Sequence, residues 1–147
     1  MSTLPSLRAA QPDDAGFIYR VIEETMRTHV EATWGAWVPG RVQRESAADA
    51  CDSKTRIIQL EGEDCGVFYS EIHDGALWVR MLFVMEKFQR RGVGRHLLSQ
   101  AQSQASAAGV PIRLRVLTVN PAKAYYEAQR FRVYQEEDDF LYMERAT

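Results

Sequence analysis

With 147 residues the chain is long enough for one hydrophobic core and short for two, so a single domain over residues 1–147 is expected. An apolar share of 46% and a charged share of 26% are those of a globular protein in water. The net charge of −2 speaks against general nucleic-acid binding, no apolar run is as long as a membrane span, and Met1-Ser2-Thr3-Leu4-Pro5 lacks the basic and apolar regions of a secretion signal. A cytoplasmic place, with no nucleic acid and no membrane as partner, is the expectation. Cys51 and Cys65, the only thiols, lack metal-ligand spacing and read as structural. His29, His73 and His96 are scattered, so no metal site is expected.

Ser6–Ala10 reads as a first strand, and Gln11-Pro12-Asp13-Asp14 as a turn with a capping carboxylate. Phe17/Ile18, Val21/Ile22, Thr25/Met26 and His29 then recur at helical spacing, with Arg20, Glu23, Glu24 and Arg27 opposite. The span 30–44 is aromatic and broken by Gly35, Pro39 and Gly40, and a second helix is expected around Val42–Cys51. Arg56–Leu60 and Cys65–Ile72 read as a hairpin, extended by His73-Asp74-Gly75 into a third strand at Ala76–Val84. The next helix presents Leu97, Ala101, Ala105 and Ala108 on one face and closes at Gly109. Val110–Val119 is a strand, Asn120 a helix cap with Pro121 at the first helical position, and Arg130–Glu136 with Phe140–Arg145 a last hairpin. The order is mixed α/β.

Between the Ala76–Val84 strand and the helix that follows lies Gln89-Arg90-Arg91-Gly92-Val93-Gly94. A strand, a glycine turn and a helix N-terminus make an anion site, because the first N–H groups of a helix lack partners and its dipole favours negative charge. Arg90, Arg91 and Arg95 add positive charge there. No Gly-Lys-Ser or Gly-Lys-Thr occurs, which excludes a P-loop, and Leu97 stands where a dinucleotide fingerprint needs its third glycine.

Gln89-x-x-Gly92-x-Gly94 resembles the acyl-CoA signature of the GCN5-related N-acetyltransferase (GNAT) superfamily, Gln/Arg-x-x-Gly-x-Gly/Ala. Further on, the run from Asn120 to Phe131, Asn-Pro-Ala-Lys-Ala-Tyr-Tyr-Glu-Ala-Gln-Arg-Phe, resembles that superfamily's C-terminal segment, Asn-Pro-Ala-x-x-x-Tyr-Glu-x-x-Gly-Phe. Arg130 stands where glycine is usual, which puts the helix's C-terminal turn in question. The segment from Met26 to Pro39 is similar to one found in uncharacterised bacterial members, Tyr-Val-Glu-x-Thr-Trp-Gly-Trp, with His29 in place of the tyrosine.

The resemblance implies an α/β (α+β) fold: a mixed, mostly antiparallel sheet of six to seven strands, splayed between strands four and five and flanked by four helices. It implies acetyl-CoA as acyl donor, with the pyrophosphate on Gln89, Arg90, Arg91, Gly92, Val93, Gly94 and Arg95 and Asn120 nearby. The pantetheine arm would pair with the backbone of Leu82, Phe83 and Val84 like an added strand, where an N–H can polarise the thioester carbonyl. Tyr126 takes the position assigned to a general acid that protonates the leaving thiolate; it also reads as a core aromatic. Tyr125 reads as packing. For the general base the fourth strand offers Trp78 and Arg80 but no carboxylate, so Glu31 and Glu71 are the candidates, and each also reads as a surface charge. Trp34 and Trp37 either line an amine pocket or pack their loop, and Arg80 either meets an anionic group of the acceptor or pairs with a nearby acid. The function implied is acetyl transfer to a primary amine (small metabolite, amino acid or peptide) by direct attack, in a protein that, like many members, forms a homodimer. The alternative is a non-catalytic acyl-CoA-binding sensor or complex subunit.

Overall fold

The computed structural model describes residues 4–146. Strand β1 (Ser6–Ala9) leads through a short 3-10 turn at Pro12–Asp14 into helix α1 (Ala15–Trp34), followed by α2 (Pro39–Ala50). Three strands follow, β2 (Thr55–Leu60), β3 (Glu63–His73) and β4 (Ala76–Val84), then α3 (Val93–Ala108), β5 (Ile112–Leu117), α4 (Ala122–Ala128), β6 (Arg132–Glu136) and β7 (Phe140–Arg145). The seven strands form one sheet in the order β1-β2-β3-β4-β5-β7-β6, antiparallel except where β4 meets β5. The mixed sheet and four helices are the architecture the resemblance implied.

The hairpins follow from local chemistry. The connections Glu61-Gly62 and Asp74-Gly75 carry positive φ at both residues, the twist that two-residue hairpin turns require. Asp14 accepts the Gln11 backbone N–H through Oδ2 at 2.7 Å, so the capping carboxylate expected in this turn closes the 3-10 turn that leads into α1. Two helical boundaries in the span 30–44 differ from the sequence reading. Helix α1 runs on to Trp34, where Gly35 (φ 84°) ends it by donating its N–H to the Glu31 carbonyl at 2.8 Å. Helix α2 starts at Pro39, which fits the first turn of a helix because no N–H is needed there. Most of the span 30–44 is therefore helical. Ala108, expected on the inner face of α3, is exposed.

The sheet is covered on both faces, which is why β2 carries consecutive buried isoleucines. Ile57 joins Ile18, Val21, Ala50 and Val67 beneath α1 and α2. Ile58 joins Leu77, Leu97, Leu98, Ala101, Ile112 and Phe131 on the α3 side. Cys65 is buried in that second cluster, where burial raises its thiol pKa to about 11; Cys51 is exposed.

Strands β4 and β5 pair only at Leu77↔Ile112 and Trp78↔Arg113 and then part. Two devices hold them apart. On one side, β4 carries a bulge: Tyr69 faces Met81 and Ser70 faces Val79, so Arg80 is an extra residue in the ladder. On the other, β5 is committed to β7 along its full length, from Ile112↔Arg145 to Leu117↔Phe140.

Candidate active site

The gap between β4 and β5 opens into a cavity of about 820 Å³, a size typical of small-molecule sites. Its walls come from α1, β4, the turn before α3, the start of α3, β5, α4 and Phe140 of β7.

At one end lies the glycine turn. The Gln89 side-chain amide donates to the Val84 carbonyl at 2.9 Å, fastening the turn to the end of β4. Gly92 (φ 81°) is the residue before α3, and its carbonyl accepts the His96 N–H at 3.0 Å as the first helical bond. The N–H groups of Val93, Gly94 and Arg95 therefore have no acceptor within the helix. At Gly94 a Cβ would come within 2.9 Å of the Tyr125 hydroxyl, so a larger residue there would press on the tip of that side chain. Arg90 and Arg95 line the cavity beside Gly92, Val93 and Gly94. Arg91, grouped with them from sequence, turns away instead: it bonds Glu61 at 3.3 Å and lies over Phe88, outside the lining. Leu82, Phe83 and Val84 line the middle. Their strand pairs with β3 on one edge and has no strand partner on the other from Val79 onward.

Helix α4 supplies the opposite wall. Asn120 Oδ1 accepts the Ala122 N–H at 2.9 Å, and the residue lines the cavity; the N-cap, however, is Pro121 and the helix starts at Ala122, so Asn120 stands one residue before the cap position expected of it. Tyr126 is partly buried, its ring edge-on to Phe131 at 5.6 Å and to Tyr125 at 5.3 Å. Its hydroxyl makes no hydrogen bond among the described residues. Burial, with Tyr125 as a smaller cause, holds the phenol well above its ordinary pKa. The core reading and the cavity reading of Tyr126 hold together: the ring packs and the residue lines the cavity. Tyr125, read as packing, lines the cavity as well; its phenol pKa is raised by burial and lowered in part by Arg95.

The far end differs most from the sequence reading. It is walled by Thr25, Met26 and His29 of α1, by Arg80 and Arg115, and by Phe140. Neither tryptophan lines it. Trp37 is 8% exposed and donates its indole N–H to the Tyr19 hydroxyl at 3.3 Å. Trp34 donates to Asp139 Oδ2 at 3.0 Å and rests on Phe140, tying the end of α1 to the last hairpin. Both pack: Trp34 as the last residue of α1 and Trp37 in the connection to α2. Neither candidate base lines the cavity either. Glu31 pairs with Arg27 at 3.5 Å on the exposed side of α1. Glu71 is shared between Arg80 at 3.0 Å and Lys54 at 3.2 Å, and those two bonds hold its carboxyl below the usual carboxylate range. Among the described lining residues there is no carboxylate at all. His29 was visible as the last member of the apolar stripe of α1. Arg115 left a fainter trace, an arginine alternating with Leu114 and Val116 in a buried strand.

Residues 52–133 match the family model of the acetyltransferase (GNAT) domain. No curated protein sequence matches the chain significantly. Among solved structures, the chain is similar to the PaiA N-acetyltransferase of Thermoplasma acidophilum in complex with coenzyme A (TM-score 0.75, 16% identity, 100% of both chains). It is also similar to an acetyltransferase of Thermus thermophilus (0.76, 23%, 100% of both). A third is the ribosomal-protein-S18-alanine N-acetyltransferase of Escherichia coli (0.66, 17%, 97% of this chain and 93% of that one). At such identities the likeness speaks for the fold. The family match spans more than half of the sequence and takes in the glycine turn, the open sheet and α4, so this chain belongs to the GNAT acetyltransferases and is an acyl-CoA-dependent acetyltransferase with acetyl-CoA as donor.

Proposed function

We propose that the protein transfers the acetyl group of acetyl-CoA to a primary amine of a small metabolite, an amino acid or a peptide, by direct attack and without an acyl-enzyme. The observation that carries this reading is one continuous cleft, running from the unpartnered N–H groups of α3 past Tyr126 to the α1 wall. The N–H groups of Val93, Gly94 and Arg95, with the guanidinium groups of Arg90 and Arg95, hold the pyrophosphate. The free edge of β4 over Leu82–Val84 aligns the pantetheine arm. Tyr126, kept protonated by burial, donates its proton to the departing thiolate. His29 carries the only imidazole among the described lining side chains, and it accepts the proton that the amine must lose. Neither cysteine lines the cleft, which fits transfer without a covalent intermediate.

Release of coenzyme A thiol over a panel of amines tests the reading. Tyr126→Phe should lower kcat by about 10²-fold, the usual worth of a positioned proton donor. Coenzyme A affinity, read by calorimetry, should change little. An unchanged kcat returns Tyr126 to a packing role. Tight binding of acetyl-CoA with no thiol release on any amine would overturn the reading of a primary amine as acceptor.

A further inference from the structure

The far end of the cleft carries more positive charge than the described residues balance: Glu71 pairs with Arg80 from outside the lining, and no carboxylate lines the cleft itself. Arg90 and Arg95 stand at the glycine turn, where phosphate accounts for them. Arg80 and Arg115 do not. Two residues beyond the last β4–β5 pair, they stand on opposite lips of the opening, Arg80 on the bulge of β4 and Arg115 on β5.

Each guanidinium is held flat with donors to spare. Arg80 lies over the Trp78 ring at 4.7 Å and spends its Nε on Glu71, leaving both terminal nitrogens without a hydrogen bond among the described residues. Glu71 also serves Lys54, so one carboxylate faces two cations and a positive surplus remains. Arg115 stacks on Phe140 at 4.0 Å and makes no hydrogen bond or ion pair among the described residues. Phe140 is itself braced by Trp34. Stacking fixes the plane of a guanidinium and leaves its edge open, the edge that grips an oxyanion through two parallel N–H bonds.

We infer that the acceptor is an amine that also carries an oxyanion, the carboxylate of a free amino acid, and that Arg80 and Arg115 hold that carboxylate while its amino group faces the thioester. This rests on the reading of the cleft as an acetyl-transfer site and narrows it. A polycationic amine would meet two fixed charges with no carboxylate to receive it, and is selected against.

The test compares acceptors that differ only at one end. The twenty amino acids are offered as free acids and as primary amides, with ethylamine and putrescine alongside, and thiol release is measured. In the wild-type protein kcat/KM for the preferred acid should exceed that of its amide at least tenfold. In Arg115→Gln that ratio should collapse toward one, chiefly through KM for the acid, and Arg115→Lys should restore it only in part. Thermal unfolding and coenzyme A calorimetry confirm that each variant is folded. Alanine against 1-aminoethylphosphonate separates a carboxylate from a phosphonate oxyanion, and a clear preference for the phosphonate overturns the carboxylate assignment. Turnover of amides, ethylamine or putrescine at rates equal to the acids overturns the inference while leaving acetyl transfer intact. Thiol release with no amine of any kind overturns the reading beneath it as well.

Discussion

Arg130 adopts φ 71°, the left-handed region in which a Cβ crowds the following carbonyl. It ends α4: its N–H bonds the Glu127 carbonyl at 3.0 Å, and the Phe131 N–H returns to the Tyr126 carbonyl at 3.0 Å. The position needs a left-handed residue because Phe131, 1% exposed, must turn back into the core beneath the Tyr126 ring. Arginine holds this conformation at a cost, and its side chain makes no hydrogen bond in return among the described residues. Arg130→Gly should therefore stabilise the protein by up to about 1 kcal/mol, the left-handed penalty less the extra backbone entropy of glycine. Urea unfolding checks this, and a destabilised variant would mean that the arginine contributes something the geometry hides. This strain was legible in sequence, because Arg130 interrupts a recognisable pattern. The start of α4 was legible to within one residue: Asn120 does bond the first helical N–H, but Pro121 is the cap. The place of Tyr125 was not: adjacent tyrosines look alike in sequence, and only the approach of α4 to Gly94 puts both at the cavity.

At the scale of elements, the meander from β2 to β4 could be read because its turns are short and its strands are compact apolar runs rich in β-branched and aromatic residues. The junction of α1 and α2 could not. Aromatic residues and helix breakers left the type of that span open, and the long-range bonds of Trp34 to Asp139 and Trp37 to Tyr19 that use those aromatics leave no local trace. A second long-range device fixes the other end of α1. Arg8 on β1 donates from both terminal nitrogens to Asp14, each at 2.9 Å, and to Asp64 of β3 at 2.9 Å. These bonds hold both carboxyls below their ordinary pKa, against a smaller opposing effect of burial. A carboxyl depressed in the folded state contributes stability that is complete above its unfolded value, near 3.9, and is lost as pH falls through the folded value. Stability from this cluster should thus hold from neutral pH to about 5 and decline below about 4. Arg8→Gln should cost about 1–2 kcal/mol at pH 7, a charged hydrogen-bond contribution reduced for partial exposure, and should flatten the acid decline. Wild type and variant losing stability in parallel between pH 7 and 3 would show that solvent already screens the cluster.

At the scale of the whole molecule, the donor half of the site lies in two contiguous segments and could be read from them, whereas the acceptor half is assembled from residues far apart in the chain. Thr25 and His29, Arg80, Arg115 and Phe140 meet only because β7 inserts beside β5 and α1 crosses the open end of the sheet. No spacing rule connects them, and a net charge of −2 conceals what they make together. The described lining of the cleft holds four arginines and no acid. In a concave site with low-dielectric walls such an arrangement focuses a positive potential outward and raises the encounter rate of an anion. The phosphates of acetyl-CoA should feel that field, and salt should weaken it, because the Debye length shortens from about 30 Å at 0.01 M to about 3 Å at 1 M. The kcat/KM for acetyl-CoA should therefore fall about tenfold or more as sodium chloride rises from roughly 0.02 to 0.5 M. S-acetylpantetheine, which presents the same thioester without a phosphate, should show a nearly flat response at its lower rate. Parallel salt curves for the two donors would place the loss in the protein or the acceptor instead of the pyrophosphate, and would remove the arginines at the helix end from the donor site.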